Sequence, residues 1–411
     1  ADDIEVPTNS DTQTKRDKLK EQIKEFDAII MPDASATITY LGTPQTEQSI
    51  YNELPTRGFD IRIWPARFPD QKRRERYGQF LAPIIVDNLD KYPDIEGGPT
   101  DKLRFGHEDL LERELSYGRS GFALQFMLDT SLSDADRYPL RLSDLIVMDL
   151  NTERAPVDLS YGSSPELAIT DLPNVGMGGD RMYRPFFIST DNWTPYTGII
   201  MAVDPSGRGG DETAYAVVAH LHSRVYLLDA GGLPGGYEVG TLEAIAKIAK
   251  KYKVNKVIVE PNFGDGMFNR LLSPVLQRFH PCVIEDTERS NTQKEKRIID
   301  TLEPVMNSHR LVVDKGLIQR DFDSTLDRRP EHINRFRLFY QMTRLTGDKG
   351  SLAKDDRIDA VAMAVHYWTD LMEQDTQKAA LELREKIRDE ELDQWFWSAG
   401  VGREETAGWS L

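Results

Sequence analysis

Five acidic residues stand where an α/β fold gathers reactive groups. Asp204 follows the apolar run GIIMAV at 198–203, Glu260 follows NKVIV at 255–259, and Asp355, Asp356 and Asp359 open an apolar helical stretch over about 356–373. Sites in α/β sheets collect at the carboxyl ends of strands. If the two runs are parallel neighbours, Asp204 and Glu260 lie side by side, and the closing helix brings its first carboxylates across them. Asp356 and Asp359 are three residues apart and share a helix face. Carboxylates packed together repel one another unless a cation binds. Hard oxygen donors select Mg²⁺ or Mn²⁺. Two such ions about 3.5–4 Å apart activate a water and stabilise the leaving oxygen of a phosphodiester. Asp211 is an expected outer ligand. Taken singly, each of these acids has an ordinary explanation, as a turn residue at a strand end or a cap at a helix start. Their joint placement favours a metal site.

The turn after Asp204, DPSGRGGDE at 204–212, is rich in glycine but lacks the Gly-Lys-Ser/Thr ending of a phosphate-binding loop. A turn that lets a DNA backbone approach fits it better. Arg208 in this turn, with Arg289, Lys294 and Arg297 beyond it, forms the expected DNA-contacting set. A second basic cluster holds Arg328, Arg329, Arg335 and Arg337; a solvated surface is the competing reading of both clusters.

The elements that must position these residues follow from the apolar pattern. Residues 198–203, 213–220 and 224–230 read as three sequential strands, the last two separated by the hairpin-length gap His222-Ser223. Helix 239–252, strand 255–259, helix 265–278, strand 282–285 and helix 293–308 come next, and the helix at 356–373 closes the series. This is the ribonuclease-H-like order, an α/β domain with a mixed sheet. Upstream, residues 14–30 and 106–128 read as helices, 70–90 as a further helical stretch, and 36–41 and 59–64 as strands. Residues 129–195 look irregular. The expected division is an N-terminal unit at 1–150, a linker at 151–195, the α/β domain at 196–375 and an acidic tail at 376–411.

Composition bounds the possibilities. A chain of 411 residues with 39% hydrophobic and 29% charged residues is globular and long enough for two domains. The net charge is −17, but residues 196–369 carry +1, so a nucleic-acid partner is not excluded for that part. Cys282 is the only cysteine, which excludes an internal disulfide and a cysteine-based zinc site. No run of about 18 apolar residues occurs, so no membrane span is expected. The first residue is Ala1, so a fragment or a processed product is expected.

Several segments together resemble one family, the large terminase subunit of tailed phages, nearest to the DNA maturase of short-tailed podoviruses. They are ITYLGTPQTE (38–47), LQFML (124–128), YPLRL (138–142), DPSGRGGDET (204–213), NFGDGMF (262–268), DTLEPVM (300–306), LFYQMTR (338–344) and DDRIDA (355–360). The resemblance runs to about residue 375. It implies a two-domain motor: the C-terminal remnant of a P-loop packaging ATPase, then a ribonuclease-H-like nuclease that cuts concatemeric viral DNA. It places the metal carboxylates on Asp204, Glu260 and the 355–359 cluster, with Asp356 and Asp359 the catalytic pair within it. Many relatives have His where this chain has Lys354. Ala1-Asp2-Asp3 resembles the end of a Walker B strand, Asp2 beside Mg²⁺ and Asp3 in the position that orients the attacking water. Gly42-Thr43-Pro44-Gln45 resembles the motif that couples ATP hydrolysis to movement, with Thr43 and Gln45 its polar members. No Walker A motif is present, so these 411 residues are not expected to hydrolyse ATP by themselves. The implied partners are double-stranded viral DNA, a portal protein, a small terminase subunit and further copies in a ring on the portal. The implied place of action is the host cytoplasm, not the mature virion. The tail, with Trp395, Trp397 and Trp409, is a candidate docking segment. Two other readings remain: a resolvase- or transposase-like nuclease on the same fold, and a non-catalytic portal-docking module.

Overall fold

The computed structural model describes residues 1–33, 36–131, 137–177, 179–206, 211–261, 266–287, 292–329 and 332–372. Seven strands form one sheet: β1 (Ile146–Met148), β2 (Gly198–Asp204), β3 (Glu212–Leu221), β4 (Arg224–Pro234), β5 (Lys256–Val259), β6 (Val283–Asp286) and β7 (Leu311–Asp314). Their spatial order is β1-β7-β4-β3-β2-β5-β6. The β2-β3-β4 meander is antiparallel, and parallel strands extend it on both sides: β5 and β6 beyond β2, β7 and β1 beyond β4. This is the ribonuclease-H-like mixed sheet that the element order predicts.

The strands are buried on both faces because their side chains alternate between two apolar cores. Ile199, Met201 and Val203 of β2 face the helices Val239–Lys251 (α1) and Met267–Phe279 (α2), meeting Leu242, Ile245, Phe268 and Leu272. Ile200 and Ala202 face the other way, toward Lys294–Asn307 (α3), Lys315–Asp323 (α4), Leu338–Arg344 (α5) and the helix at 356–372 (α6). By the same alternation Asp204 belongs to the α3–α6 face. So does Glu260, two residues beyond Ile258 of that core.

Four elements depart from the pattern-based expectation. Residues 36–41 form no strand: Leu41 makes one bridge to Asp2, and the Leu41 and Asp3 amides donate across it to Ala1 and Leu41 carbonyls at 2.9 Å. Residues 59–64 likewise give a single bridge, Ile63 to Leu81. An alternating pattern becomes a strand only where a partner continues the ladder. The stretch 70–90 is broken between Gln71–Tyr77 and Pro83–Lys91, because Gly78 (φ +52°) and Pro83 interrupt it. The helix His107–Gln125 kinks at Gly118 (φ +68°). Two strands of the seven-stranded sheet lie outside the expected set. β7 is four residues long, and β1 lies before the expected boundary at 150 yet pairs with β7 in parallel. Residues 151–195 are not a free linker. Arg154–Pro156 pairs with Trp193–Pro195 and Leu159–Ser160 with Phe187–Ile188, while Ile169, Met182, Ala155 and Leu159 are buried in the two cores. The acidic tail lies outside the described residues.

Trp368 locks α6 to the sheet. It is 6% exposed, donates its indole N–H to the Val218 carbonyl at 3.1 Å and stacks on His220. Gly198 makes room for it, since a Cβ there would stand 2.8 Å from the ring. Trp368→Ala is expected to cost about 3–5 kcal/mol. Urea denaturation followed by circular dichroism measures this, and an unchanged midpoint would show that α6 is held elsewhere.

Candidate metal centre

β2 and β5 are parallel neighbours with Val203 opposite Val259, and the Glu260 amide donates to the Val203 carbonyl at 3.0 Å. The ladder therefore delivers Asp204 and Glu260 side by side, as expected. α6 begins at Asp356 and carries Asp359 one turn in. Among the described residues, oxygen atoms of Asp204, Glu260 and Asp359 lie within 4.8 Å of one another, the spacing of a common ion. Asp204 is 6% exposed and Asp359 fully buried. Glu260 stays partly open to solvent, at 21% side-chain exposure.

The other predicted acids do not share this three-way spacing. Asp355 pairs with the Lys294 ammonium at 2.9 Å. Asp356 is half-buried, and its Oδ2 is shielded from solvent without a hydrogen-bond partner. Asp211, expected as an outer ligand, is exposed and ion-paired with Lys354. The departure at Lys354 thus has a visible partner.

Lys294 and Arg297, expected on a DNA-facing surface, point into the acids instead. Lys294 Nζ lies 3.1 Å from Asp359 Oδ2 in addition to its Asp355 contact. Arg297 Nη2 lies 2.8 Å from Asp359 Oδ1 and 3.6 Å from Glu260 Oε1. The two are three apart on α3, on its sheet-facing side, so one helix supplies both counter-charges. The second basic cluster is also engaged internally: Arg328 pairs with Glu212, Arg335 with Asp17, and buried Arg337 donates to Thr325 Oγ1. Arg329 is exposed. Arg208 and Arg289 lie outside the described residues. Period and composition give no warning of these internal partners, because spacing along the chain does not show which acid a basic side chain meets.

The electrostatics follow from this crowding. Burial, with the nearby Glu260, Asp359 and Asp356 carboxylates, pushes the Asp204 carboxyl up to about 8, against a smaller opposing pull from Lys294. Burial and the Asp355 and Glu212 charges raise Asp356 as well. Burial works against the Lys294 charge, but Asp359, Asp355 and Asp204 outweigh it and hold the ammonium well above its usual range. The donor set is all oxygen and crowded, and one buried Asp356 oxygen lacks a hydrogen-bond partner among the described residues. Hard divalent cations fit such a set.

At the N-terminus, Asp2 and Asp3 run beside Leu41. Buried Glu5 accepts from the Gln45 and Ile50 amides and the Ser49 hydroxyl at 2.8–2.9 Å. Gln45 donates its side-chain amide to the Thr43 carbonyl at 3.1 Å. These residues form one turn assembly, distant in sequence from the carboxylate trio. Glu5, which anchors it, carries no sequence pattern that marks it, being a lone acid near a terminus.

A raised carboxyl has a stability consequence. Between the ordinary value of 3.8 and about 8, folded Asp204 keeps a proton that the unfolded chain releases. Stability of the metal-free protein therefore falls as pH rises through that window and levels above it. Thermal denaturation in chelator at pH 5.5 and pH 8.5 should give a lower melting temperature at the higher pH, and Asp204→Asn should flatten the difference. An equal slope in both proteins would remove Asp204 as its source.

Comparison with known proteins gives three results. Residues 203–311 match the family model described as "Terminase Bacteriophage T7, Ribonuclease H-like domain". The large terminase subunit of Enterobacteria phage T3 is 44% identical over 403 residues, covering 97% of this chain and 68% of that protein. Among solved structures, a human cytomegalovirus terminase nuclease domain, Mn-soaked and inhibitor-bound, is similar at 16% identity and a TM-score of 0.30, covering 42% of this chain and 82% of the other. The nuclease domain of the bacteriophage SPP1 large terminase, with bound Mn, is similar at 17% identity and 0.29, covering 42% and 87%.

Proposed function

This chain belongs to the terminase large-subunit family, and from that premise we propose that its α/β domain is a divalent-metal-dependent endonuclease that cuts concatemeric double-stranded DNA during viral genome packaging. The observation that carries the reading is the convergence of Asp204, Glu260 and Asp359 oxygens within 4.8 Å. Mg²⁺ or Mn²⁺ held there, as two ions, would supply a nucleophilic water and charge to offset the leaving oxygen. Asp204 and Asp359 hold the buried side of the site, and Glu260 holds the side open to solvent. Asp356, one turn before Asp359 on the same face, is the further candidate ligand. Lys294 and Arg297 limit the repulsion among the acids and bring positive charge to the place where a phosphate must approach. A resolvase-like reading has less support, because the 44% identity also covers the residues upstream of the sheet.

The rest of the proposal concerns the larger assembly. The segment before β1, with Asp2, Asp3, Thr43 and Gln45 around the Glu5-anchored turn, is read as part of the packaging ATPase, so that ATP serves the complete motor. Viral DNA, a portal protein, a small terminase subunit and further copies of this chain are the proposed partners, in the host cytoplasm. No described helix is long and apolar enough to cross a membrane.

Asp204→Asn, Glu260→Gln and Asp359→Asn should each abolish Mn²⁺- or Mg²⁺-dependent nicking and linearisation of plasmid DNA, and chelator should abolish it in the unaltered chain. Circular dichroism should show the fold retained. Full cutting by all three variants would falsify the assignment.

A further inference from the structure

We propose that Arg357 is the positioning residue of this site: its buried guanidinium fastens the first turn of α6 to β3 and α4, and so sets where Asp356 and Asp359 stand against Asp204 and Glu260. The inference rests on the metal reading above. Arg357 lies between the two helix acids in sequence and is 1% exposed. Its Nε and Nη2 donate to Glu212 Oε1 and Oε2 at 2.6 and 3.2 Å, a forked pair. Its Nη1 donates to Asp321 Oδ1 at 2.7 Å and to Ser324 Oγ at 2.9 Å. One side chain thus ties three elements: Glu212 opens β3, and Asp321 and Ser324 lie in the last turn of α4 and just past it.

Each partner is itself held. Glu212 also receives Arg328 Nη2 at 2.9 Å. Asp321 accepts the Leu338 amide at 2.9 Å at the start of α5. From α5, Gln341 Oε1 accepts the Ile358 amide at 3.0 Å, pinning the residue after Arg357. The sheet is shaped around the fork. A Cβ on Gly232 would stand 1.9 Å from Glu212 Cδ and 2.2 Å from both its oxygens, so β4 has no side chain where the carboxylate sits. A register shift in the β3–β4 ladder precedes this position. Leu227 lies opposite Val218 and Asp229 opposite Val217, so one extra β4 residue shifts which side chains reach the α6 face.

Stability alone is a poor reason for this arrangement. Burying a guanidinium and two carboxylates costs desolvation, and apolar side chains of similar volume often serve as well or better. What a fully satisfied polar network adds is a unique arrangement. Trp368 anchors the far end of α6, but the turns between it and Arg357 are mostly small and smooth where buried: Ala360, Ala362 and Ala364 with Val361 and Val365. Such a surface resists sliding and rotation weakly, and a small rotation would carry Asp359 away from Asp204. The Arg357 fork supplies the directional restraint.

The test compares the unaltered chain with Arg357→Lys, Gly232→Ala and the double variant Arg357→Met/Glu212→Leu. Mn²⁺ binding is measured by calorimetry, and plasmid cutting is titrated with Mn²⁺. Lysine keeps the charge but cannot form the fork. Gly232→Ala leaves Arg357 in place and displaces its partner. All three should weaken Mn²⁺ affinity by about 10–100-fold, the usual effect of losing a group that orients metal ligands. The Mn²⁺ concentration for half-maximal cutting should rise with it, more than the rate at saturating metal falls. If the folded double variant keeps the affinity of the unaltered chain, the proposal is overturned. If the double variant does not fold, unchanged affinity in both Arg357→Lys and Gly232→Ala overturns it equally. An unaltered chain that binds no Mn²⁺ overturns the metal reading and this inference together.

Discussion

Like charges forced together out of water are the constraint on which this domain is organised. Two of the three converging carboxylates are almost wholly buried, and the third, Glu260, is partly open to solvent. Repulsion in such a place is severe, because the low-dielectric interior screens it little. The fold meets it in two ways. Asp204 holds its proton to an unusually high pH, and one face of α3 turns Lys294 and Arg297 toward the acids. Both responses are local, and both act on the same three side chains. On the proposed reading, a divalent cation is the third response, and it would replace the proton on Asp204.

The sheet solves the geometric half of the problem. A parallel pair places the ends of β2 and β5 level, so two acids each one residue past an apolar run arrive as neighbours without any loop having to carry them. Period-two alternation then decides the face: Ile200, Ala202 and Asp204 fall on one side, and Ile258 and Glu260 on the same side. The helix layer on that side holds both the third acid and the two counter-charges. The opposite face, packed on α1 and α2, is an apolar core and holds none of the trio or its two counter-charges. One alternation rule therefore separates the reactive layer from the supporting one.

How much of this can be read from the chain depends on the range of the interaction. Asp204 and Glu260 are legible because each ends an apolar strand and the strand order fixes their adjacency. The choice among Asp355, Asp356 and Asp359 is not, because it depends on the rotation of α6, and the contacts that set the rotation lie on β3, α4 and α5. Lys294 and Arg297 read as a surface cluster because nothing in their spacing reveals that the acids across from them are 37 to 65 positions away. β7 was invisible for another reason: four residues between two helices are too short to show a period. The patterns at 36–41 and 59–64 failed in the opposite sense. Their alternation is real, but a strand also requires a ladder, and each found a single bridge.

The junction between the N-terminal segment and the nuclease sheet follows from the same distinction between packing and polar contact. The sheet and its two cores reach back to Leu140, Leu142 and Leu145, whereas the segments before them form small separate clusters around Ile23, Ile85 and Leu110. What joins the two sides is largely polar: Asp17 with Arg335, Arg137 with Asp348, and the Gln13 amide with the Ser351 carbonyl. Polar junctions of this sort permit relative movement more readily than a shared apolar core does. Two of these three contacts fall on the loop that leads into α6. Among the described residues, the Lys294 and Arg297 partners of the carboxylate trio and the Glu212 and Asp321 partners of the Arg357 fork come from residues 204–359, inside the nuclease fold. The internal restraints thus set the geometry of the acids, and the N-terminal segment touches both the loop before their helix and the approach to α5, whose Gln341 holds the Ile358 amide.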